Sequence, residues 1–156
     1  MILAWRFTNA CFSCTSLCIK LRLMNTSIKV LIVDDSEIVV ERLNGIISEM
    51  PHISPVLISN NFQQAIELIN LELPQVVLFD IHLSGQSSIE LLSYIKSHYP
   101  AIKTLVVTNR VSDYYKELCE QNGADAFVDK STEFEKIPSL IENFFCYDSA
   151  ETNILN

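Results

Sequence analysis

Asp34, Asp35, Asp80, Thr108 and Lys130 are the residues of this 156-residue chain whose types and spacing could do chemistry together. Each stands at the C-terminal end of a short apolar run: "IKVLIV" before Asp34-Asp35, "QVVLF" before Asp80, "IKTLVVT" ending on Thr108, and "DAFVD" before Lys130. Three carboxylates, one hydroxyl and one ammonium therefore end four separate runs. Carboxylates brought within ~5 Å of one another repel by roughly 3 kcal/mol per pair at an effective dielectric of ~20. A hard divalent cation relieves that repulsion, and Mg2+ favours one or two carboxylates together with waters and a phosphoryl oxygen. The ammonium then offers a point charge, and the hydroxyl a hydrogen bond, to an anion that comes and goes. These parts suit phosphoryl transfer, where positioning and charge neutralisation do nearly all the work. The first run continues into "DDSEIVV" and not into a glycine-rich loop, so neither a dinucleotide fold nor a P-loop is indicated. With no nucleotide cradled, one of the carboxylates must itself be the acceptor.

The elements that would bring these residues together alternate along the chain. After Met24, "IKVLIV" (28–33) reads as a strand, followed by a helical pattern through Ile38, Val39, Leu43, Ile46 and Ile47. "ISPVLIS" (53–59) reads as a second strand, weakened near its start by Pro55, before a helix through Ala65, Ile66, Leu68 and Ile69. "QVVLF" (75–79) is the third strand, and Ile89, Leu91, Leu92 and Ile95 mark the helix after it. "IKTLVVT" (102–108) is the fourth, with a helix over 112–122 stopped by Asn122-Gly123. "DAFVD" (125–129) is the fifth, and a last helix carries Leu140, Ile141, Phe144 and Phe145, with Pro138 in its first turn. Strands this uniformly apolar cannot face water, which predicts a five-stranded parallel sheet covered by helices on both faces, a doubly wound α/β fold. In such sheets ligands bind beyond the C-terminal strand ends, where all five candidate residues fall.

Composition sets the outer limits. The chain is 49% hydrophobic with only 3 Gly and 5 Pro, which predicts a globular domain. Its net charge of −8 argues against a nucleic-acid-binding face, which would need clustered cations. No apolar stretch reaches the ~20 residues of a membrane-spanning helix, so no membrane insertion is expected. Residues 1–33 hold no acid but carry Arg6, Lys20, Arg22 and Lys29, and Cys11, Cys14 and Cys18 also fall there. The C-x-x-C pair has no second pair or His ligands nearby, as a zinc site would need. The expected organisation is an N-terminal extension over 1–27, loose or a non-native leader, a domain over 28–146 and a tail over 147–156. Cys119 and Cys146 lie in helical patterns and read as reduced thiols of a cytoplasmic protein.

Taken singly, these residues are ordinary: an Asp-Asp pair after a strand commonly caps a helix, a lone strand-end Lys is usually solvated, and Phe127 reads as core. Together and in this order they resemble the receiver domain of bacterial two-component response regulators, over roughly residues 28–146. The resemblance implies a flavodoxin-like sheet of order 2-1-3-4-5. It implies Asp80 as phospho-acceptor, with Asp34, Asp35, Asp80 and the backbone carbonyl of His82 holding Mg2+. It implies Thr108 and Lys130 as the groups that engage the phosphoryl moiety, and Phe127 as an aromatic switch. It implies that His82 and Arg110 flank the phosphoryl group and tune its lifetime, with the His82 side chain facing solvent. The implied function is that of a single-domain phospho-acceptor, supplied by a sensor histidine kinase or a His-phosphotransfer protein. It would act on an unidentified protein target or relay the phosphoryl group, with no catalysis beyond its own phosphorylation and dephosphorylation. The chain departs from the family pattern at Ser84 and Ser88, where Pro and Gly are usual, at Ser131, where Pro commonly follows the lysine, and at Asn109, where a small Ala is common and Asn could narrow access. None removes a reactive group. Two alternatives use the same residues: a Mg2+-dependent hydrolase with an Asp nucleophile, whose family would place that Asp on the first strand, and a structural pseudo-receiver that is never phosphorylated.

Overall fold

All five apolar runs form strands whose side chains alternate between two covered faces. In the computed structural model, which describes residues 27–83, 86–109 and 112–147, strand β1 spans Ile28–Val33, β2 Ile53–Ser59, β3 Val76–Phe79, β4 Lys103–Thr108 and β5 Ala126–Asp129. Helices α1 (Glu37–Ser48), α2 (Phe62–Glu72), α3 (Ile89–His98), α4 (Asp113–Gln121) and α5 (Ile137–Tyr147) connect and follow them. The strands pair in parallel in the order β2-β1-β3-β4-β5, the order the resemblance implied. The period of two sorts the core cleanly. Val30 and Ile32 of β1 pack with Leu43 and Ile47 of α1 and with Ile137 and Ile141 of α5 on one face. Leu31 and Val33 pack with Ala65 and Ile69 of α2 and Leu91, Leu92 and Ile95 of α3 on the other. Truncating a fully buried member such as Leu31 to Ala should cost about 2–5 kcal/mol, transfer and cavity terms together.

Two local departures from the sequence reading have clear causes. Pro55 does not end β2; the β1–β2 ladder shifts register between Ile28 and Val30 beside it, which an edge strand tolerates. Ile38, expected to join the apolar face of α1, is 80% exposed, because the stripe that meets the sheet runs through Leu43 and Ile47. The structure also adds an antiparallel pairing of His82–Leu83 with Gln86–Ser87 just after β3, and a 3-10 turn at Phe134–Lys136 before α5. Helix α4 ends as expected: Gly123 adopts φ +86, where an added Cβ would press on the Lys96 stem. Pro138 sits in the first turn of α5, also as expected. Residues 1–26 of the extension, including Cys11, Cys14 and Cys18, and residues 148–156 of the tail lie outside the described residues, as do Ser84 and Arg110.

Candidate functional site

Helices α1 and α5 cover one face of the sheet and α2, α3 and α4 the other, so the connections diverge between β1 and β3. At that switch point Val33 and Phe79 are paired, and the next residues are Asp34 and Asp80. Strand register thus carries two carboxylates, 46 residues apart in sequence, to neighbouring positions on one edge. β4 and β5 add the rest: Thr108 pairs with Asp129, and Lys130 follows one residue beyond, its N–H donating to the Thr108 carbonyl at 2.9 Å.

The two carboxylates are held alike. Asp34 accepts the Ser36 N–H on Oδ1 at 2.9 Å, and Asp80 accepts the His82 N–H on Oδ1 at 3.3 Å. Each turns its Oδ2 to the same group, the Lys130 ammonium, which lies 2.7 Å from Asp80 and closer still to Asp34. Both Asp34 and Lys130 are buried, while the Asp80 side chain keeps 16% exposure, so the acceptor candidate opens to solvent beneath a buried pair. Burial pushes the Asp34 carboxyl above its ordinary range; the Lys130 hydrogen bond, the Ser36 N–H and the Lys130 charge oppose this, and Asp80 adds to it.

Asp35 is exposed at the rim. The tight trio of carboxylates expected from sequence is therefore a pair bridged by an ammonium with a third acid outside it. Among the described residues no three His, Cys, Asp or Glu side chains converge as a ready-made metal cluster. The donor chemistry still suits a hard divalent cation. Two carboxylates against one ammonium leave one net negative charge, Asp35 makes it two, and every donor is an oxygen.

Thr108 is buried and Phe127 is half-buried, packed on the α2–α3–α4 face. Asn109 is exposed at the rim. His82 corrects an expectation: its side chain does not face solvent. The ring meets Tyr115 of α4 edge-on, with centroids 5.5 Å apart, and its Nε2 is buried with no hydrogen-bond partner among the described residues. Ser88, at the N-terminus of α3, is likewise buried, and its Oγ has no hydrogen-bond partner among the described residues. Sequence reasoning missed the Asp129 carboxylate, which accepts the Ser131 N–H at 2.7 Å and the Thr132 hydroxyl at 3.1 Å directly beside Lys130. An Asp with Ser and Thr two and three residues on is a turn signal that could have revealed it.

A parallel sheet of this order, with paired acids at its switch point and a lysine just past the last strand reaching between them, defines a flavodoxin-like α/β domain with its site at the C-terminal sheet edge. The chain belongs to the response regulator receiver domain family, whose sequence pattern matches residues 30–142. It is 26% identical over 115 residues to the transcriptional regulatory protein MctR of Rhizobium johnstonii, covering 74% of this chain and 54% of that protein. It is 29% identical over 113 residues to the sensory transduction protein LytT of Enterococcus faecalis, covering 72% and 46% respectively. The chain thus spans about half the length of the curated relatives it matches. Among solved structures, the receiver domain of a NarL-type regulator from Mycobacterium tuberculosis superposes with a TM-score of 0.71 at 20% identity, over 77% of this chain and 97% of that one. A response regulator from Burkholderia pseudomallei, described with a phosphorylated aspartic acid, a calcium ion and citrate, superposes at 0.68 with 22% identity, over 82% and 74%. At these identities the structural likeness is one of fold. No helix among the described residues is long and apolar enough to cross a membrane.

Proposed function

We propose that this receiver domain accepts a phosphoryl group on Asp80 from a phosphohistidine donor and that the acyl phosphate changes its affinity for a protein partner. The observation that supports this most is the shared ammonium: Lys130 joins Asp34 and Asp80 from a strand 50 residues beyond the nearer of them. In the step, a carboxylate oxygen of Asp80 attacks phosphorus, the P–N bond to the donor imidazole breaks, and that nitrogen recovers a proton. The chain supplies the nucleophile paired with Lys130, partly open to solvent and fixed by the His82 N–H. The positive charge of Lys130 is poised to pass from the Asp80 carboxylate to a phosphoryl oxygen, a charge-assisted contact. Asp34, Asp35, Asp80 and the His82 carbonyl would hold Mg2+, which when bound supplies charge neutralisation at the transferring oxygens. The buried hydroxyl of Thr108, tied through its carbonyl to Lys130, and the half-buried Phe127 are the elements whose arrangement the phosphoryl group would bias.

The donor is a sensor histidine kinase or a His-phosphotransfer protein, and the domain catalyses nothing beyond its own phosphorylation and dephosphorylation. The acidic balance of the chain favours output through protein contact or onward transfer over nucleic-acid binding. Incubation with acetyl phosphate and Mg2+, followed by intact-mass measurement, should add one phosphoryl group to the wild type and none to Asp80→Asn. Undiminished labelling of that variant would move the acceptor elsewhere. A wild type that stays unlabelled by acetyl phosphate and by a phosphorylated histidine donor would favour the pseudo-receiver, and steady turnover of a small phosphomonoester would favour the hydrolase.

A further inference from the structure

Lys130 carries its ammonium on a long flexible stem, so the place of the charge depends on how the backbone aims that stem. The N–H on one side of its Cα donates to the Thr108 carbonyl at 2.9 Å. The N–H on the other side, that of Ser131, donates to Asp129 Oδ1 at 2.7 Å. The remaining oxygen of Asp129 takes the Thr132 hydroxyl at 3.1 Å, and its main-chain carbonyl takes the Glu133 N–H at 2.9 Å. Glu133 reaches back, accepting the Asp129 N–H on Oε2 at 3.2 Å, and its other oxygen binds Lys136 at 2.5 Å. Five residues are thereby closed into one turn with Asp129 as its hub. Ser131 has no ring to fix its φ, so these hydrogen bonds are what hold the peptide that follows Lys130.

We propose that Asp129 is a positioning residue, whose carboxylate fixes the turn that aims the Lys130 ammonium at Asp34 and Asp80. The effect on phosphoryl transfer rests on the acceptor role of Asp80; the effect on Lys130 itself does not. The donors around it also hold the Asp129 carboxyl below its ordinary range, the Ser131 N–H foremost, so the acceptor is a full carboxylate at neutral pH. Replacing it with Ala removes the acceptor, while Asn keeps an oxygen for Ser131. A loosened turn misplaces a charge at the reacting centre, and misplacements of about 1 Å lower rates by up to about a hundredfold.

The test compares wild type, Asp129→Ala and Asp129→Asn by acylation of lysines with an N-hydroxysuccinimide acetate, read residue by residue by mass spectrometry. Lys130 is nearly inaccessible in the native turn, and Lys96, at 18% exposure, reports general loosening. Lys130 should react at least about fivefold faster in Asp129→Ala, return near wild type in Asp129→Asn, and do so with Lys96 unchanged. An unchanged Lys130, or Lys96 and Lys130 rising together, would overturn the positioning role. With acetyl phosphate and Mg2+, the saturating labelling rate of Asp129→Ala should fall by about tenfold with the donor half-saturation little changed, and Asn should restore it. A labelling rate equal to wild type in Asp129→Ala would overturn the effect on transfer. A wild type that takes no phosphoryl group, together with a Lys130-specific rise in Asp129→Ala, would sink the acceptor reading and support the positioning role.

Discussion

The two ends of the sheet carry the same kinds of groups in opposite proportions. At the N-terminal end, Asp125 accepts Lys96 at 2.6 Å, the Thr104 N–H at 2.8 Å and the Thr104 hydroxyl at 3.0 Å on one oxygen, with Lys103 at 3.9 Å from the other. Lys96 also donates to the Ile102 carbonyl at 2.9 Å, and its stem lies against Gly123. One carboxylate there faces two ammonium groups and two neutral donors, which pins α3, β4 and the start of β5 together. At the C-terminal end, among the described residues, two carboxylates share one ammonium, with a third acid at the rim. A pin saturates its acceptor. A site for a cation and a transient anion keeps an excess of one sign, and tolerates the repulsion because the missing charge arrives with the ligand.

The largest expected effect separates the two lysines. Lys130→Ala removes the counter-charge bound to buried Asp34, so it should destabilise the metal-free protein by about 3 kcal/mol, as breaking a buried pair does. Mg2+ should restore part of that loss. Lys96→Ala, at a wetter pair, should cost about 1 kcal/mol and gain nothing from Mg2+. Urea melts with and without Mg2+ check both, and a Lys130→Ala variant as stable as wild type would erase the contrast between the ends.

A smaller effect of opposite sign separates the acids. Asp125→Ala strands the buried Thr104 hydroxyl and its N–H, and should cost about 2 kcal/mol whether or not Mg2+ is present. Asp80→Ala removes one of two carboxylates competing for Lys130 and leaves a balanced Asp34–Lys130 pair. It should stabilise the metal-free protein by up to about 1 kcal/mol, discounted for the solvent that reaches Asp80, and abolish stabilisation by Mg2+. Thermal melts showing Asp80→Ala clearly less stable than wild type would mean that the bond to Lys130 outweighs the crowding.

How much of this was legible in the sequence follows from what each feature depends on. Strands β1 and β3 were plain because runs such as Val76–Phe79, buried on both faces, leave no alternation to misread. Asp34, Asp80 and Lys130 were found because a polar residue ending such a run is positioned by the strand itself. The bridge was not: crowding of three acids was inferred because residue type and order do not say that a lysine stem reaches between two of them. The His82 ring was misplaced because its contact, Tyr115, belongs to another helix and is set by tertiary packing. Ile38 was overcounted because a helical stripe is wider in pattern than in contact. The pairing of 82–83 with 86–87 had a signal in the Ser84-Gly85 dipeptide, too short a run to distinguish from a loop.

The smallest effect tests the comparison within the site itself, through pH. Asp34 binds the Lys130 ammonium, Asp129 precedes Lys130 in its turn, and the two carboxyls shift in opposite directions. Burial raises the Asp34 carboxyl, so its folded form holds a proton more readily than the unfolded chain. Its contribution to stability is complete below the ordinary value of 3.8 and is lost as pH rises through the folded value. The Ser131 N–H and its neighbours lower the Asp129 carboxyl, so its contribution is present above 3.8 and is lost as pH falls through the folded value. Metal-free urea melts across the carboxylate range should therefore show Asp34→Asn gaining on wild type as pH rises, and Asp129→Asn gaining on wild type as pH falls. Parallel curves for the two variants would show that Asp34, like Asp129, is governed by its hydrogen-bond donors, and that the excess of negative charge at this edge is already neutralised by Lys130 without a ligand.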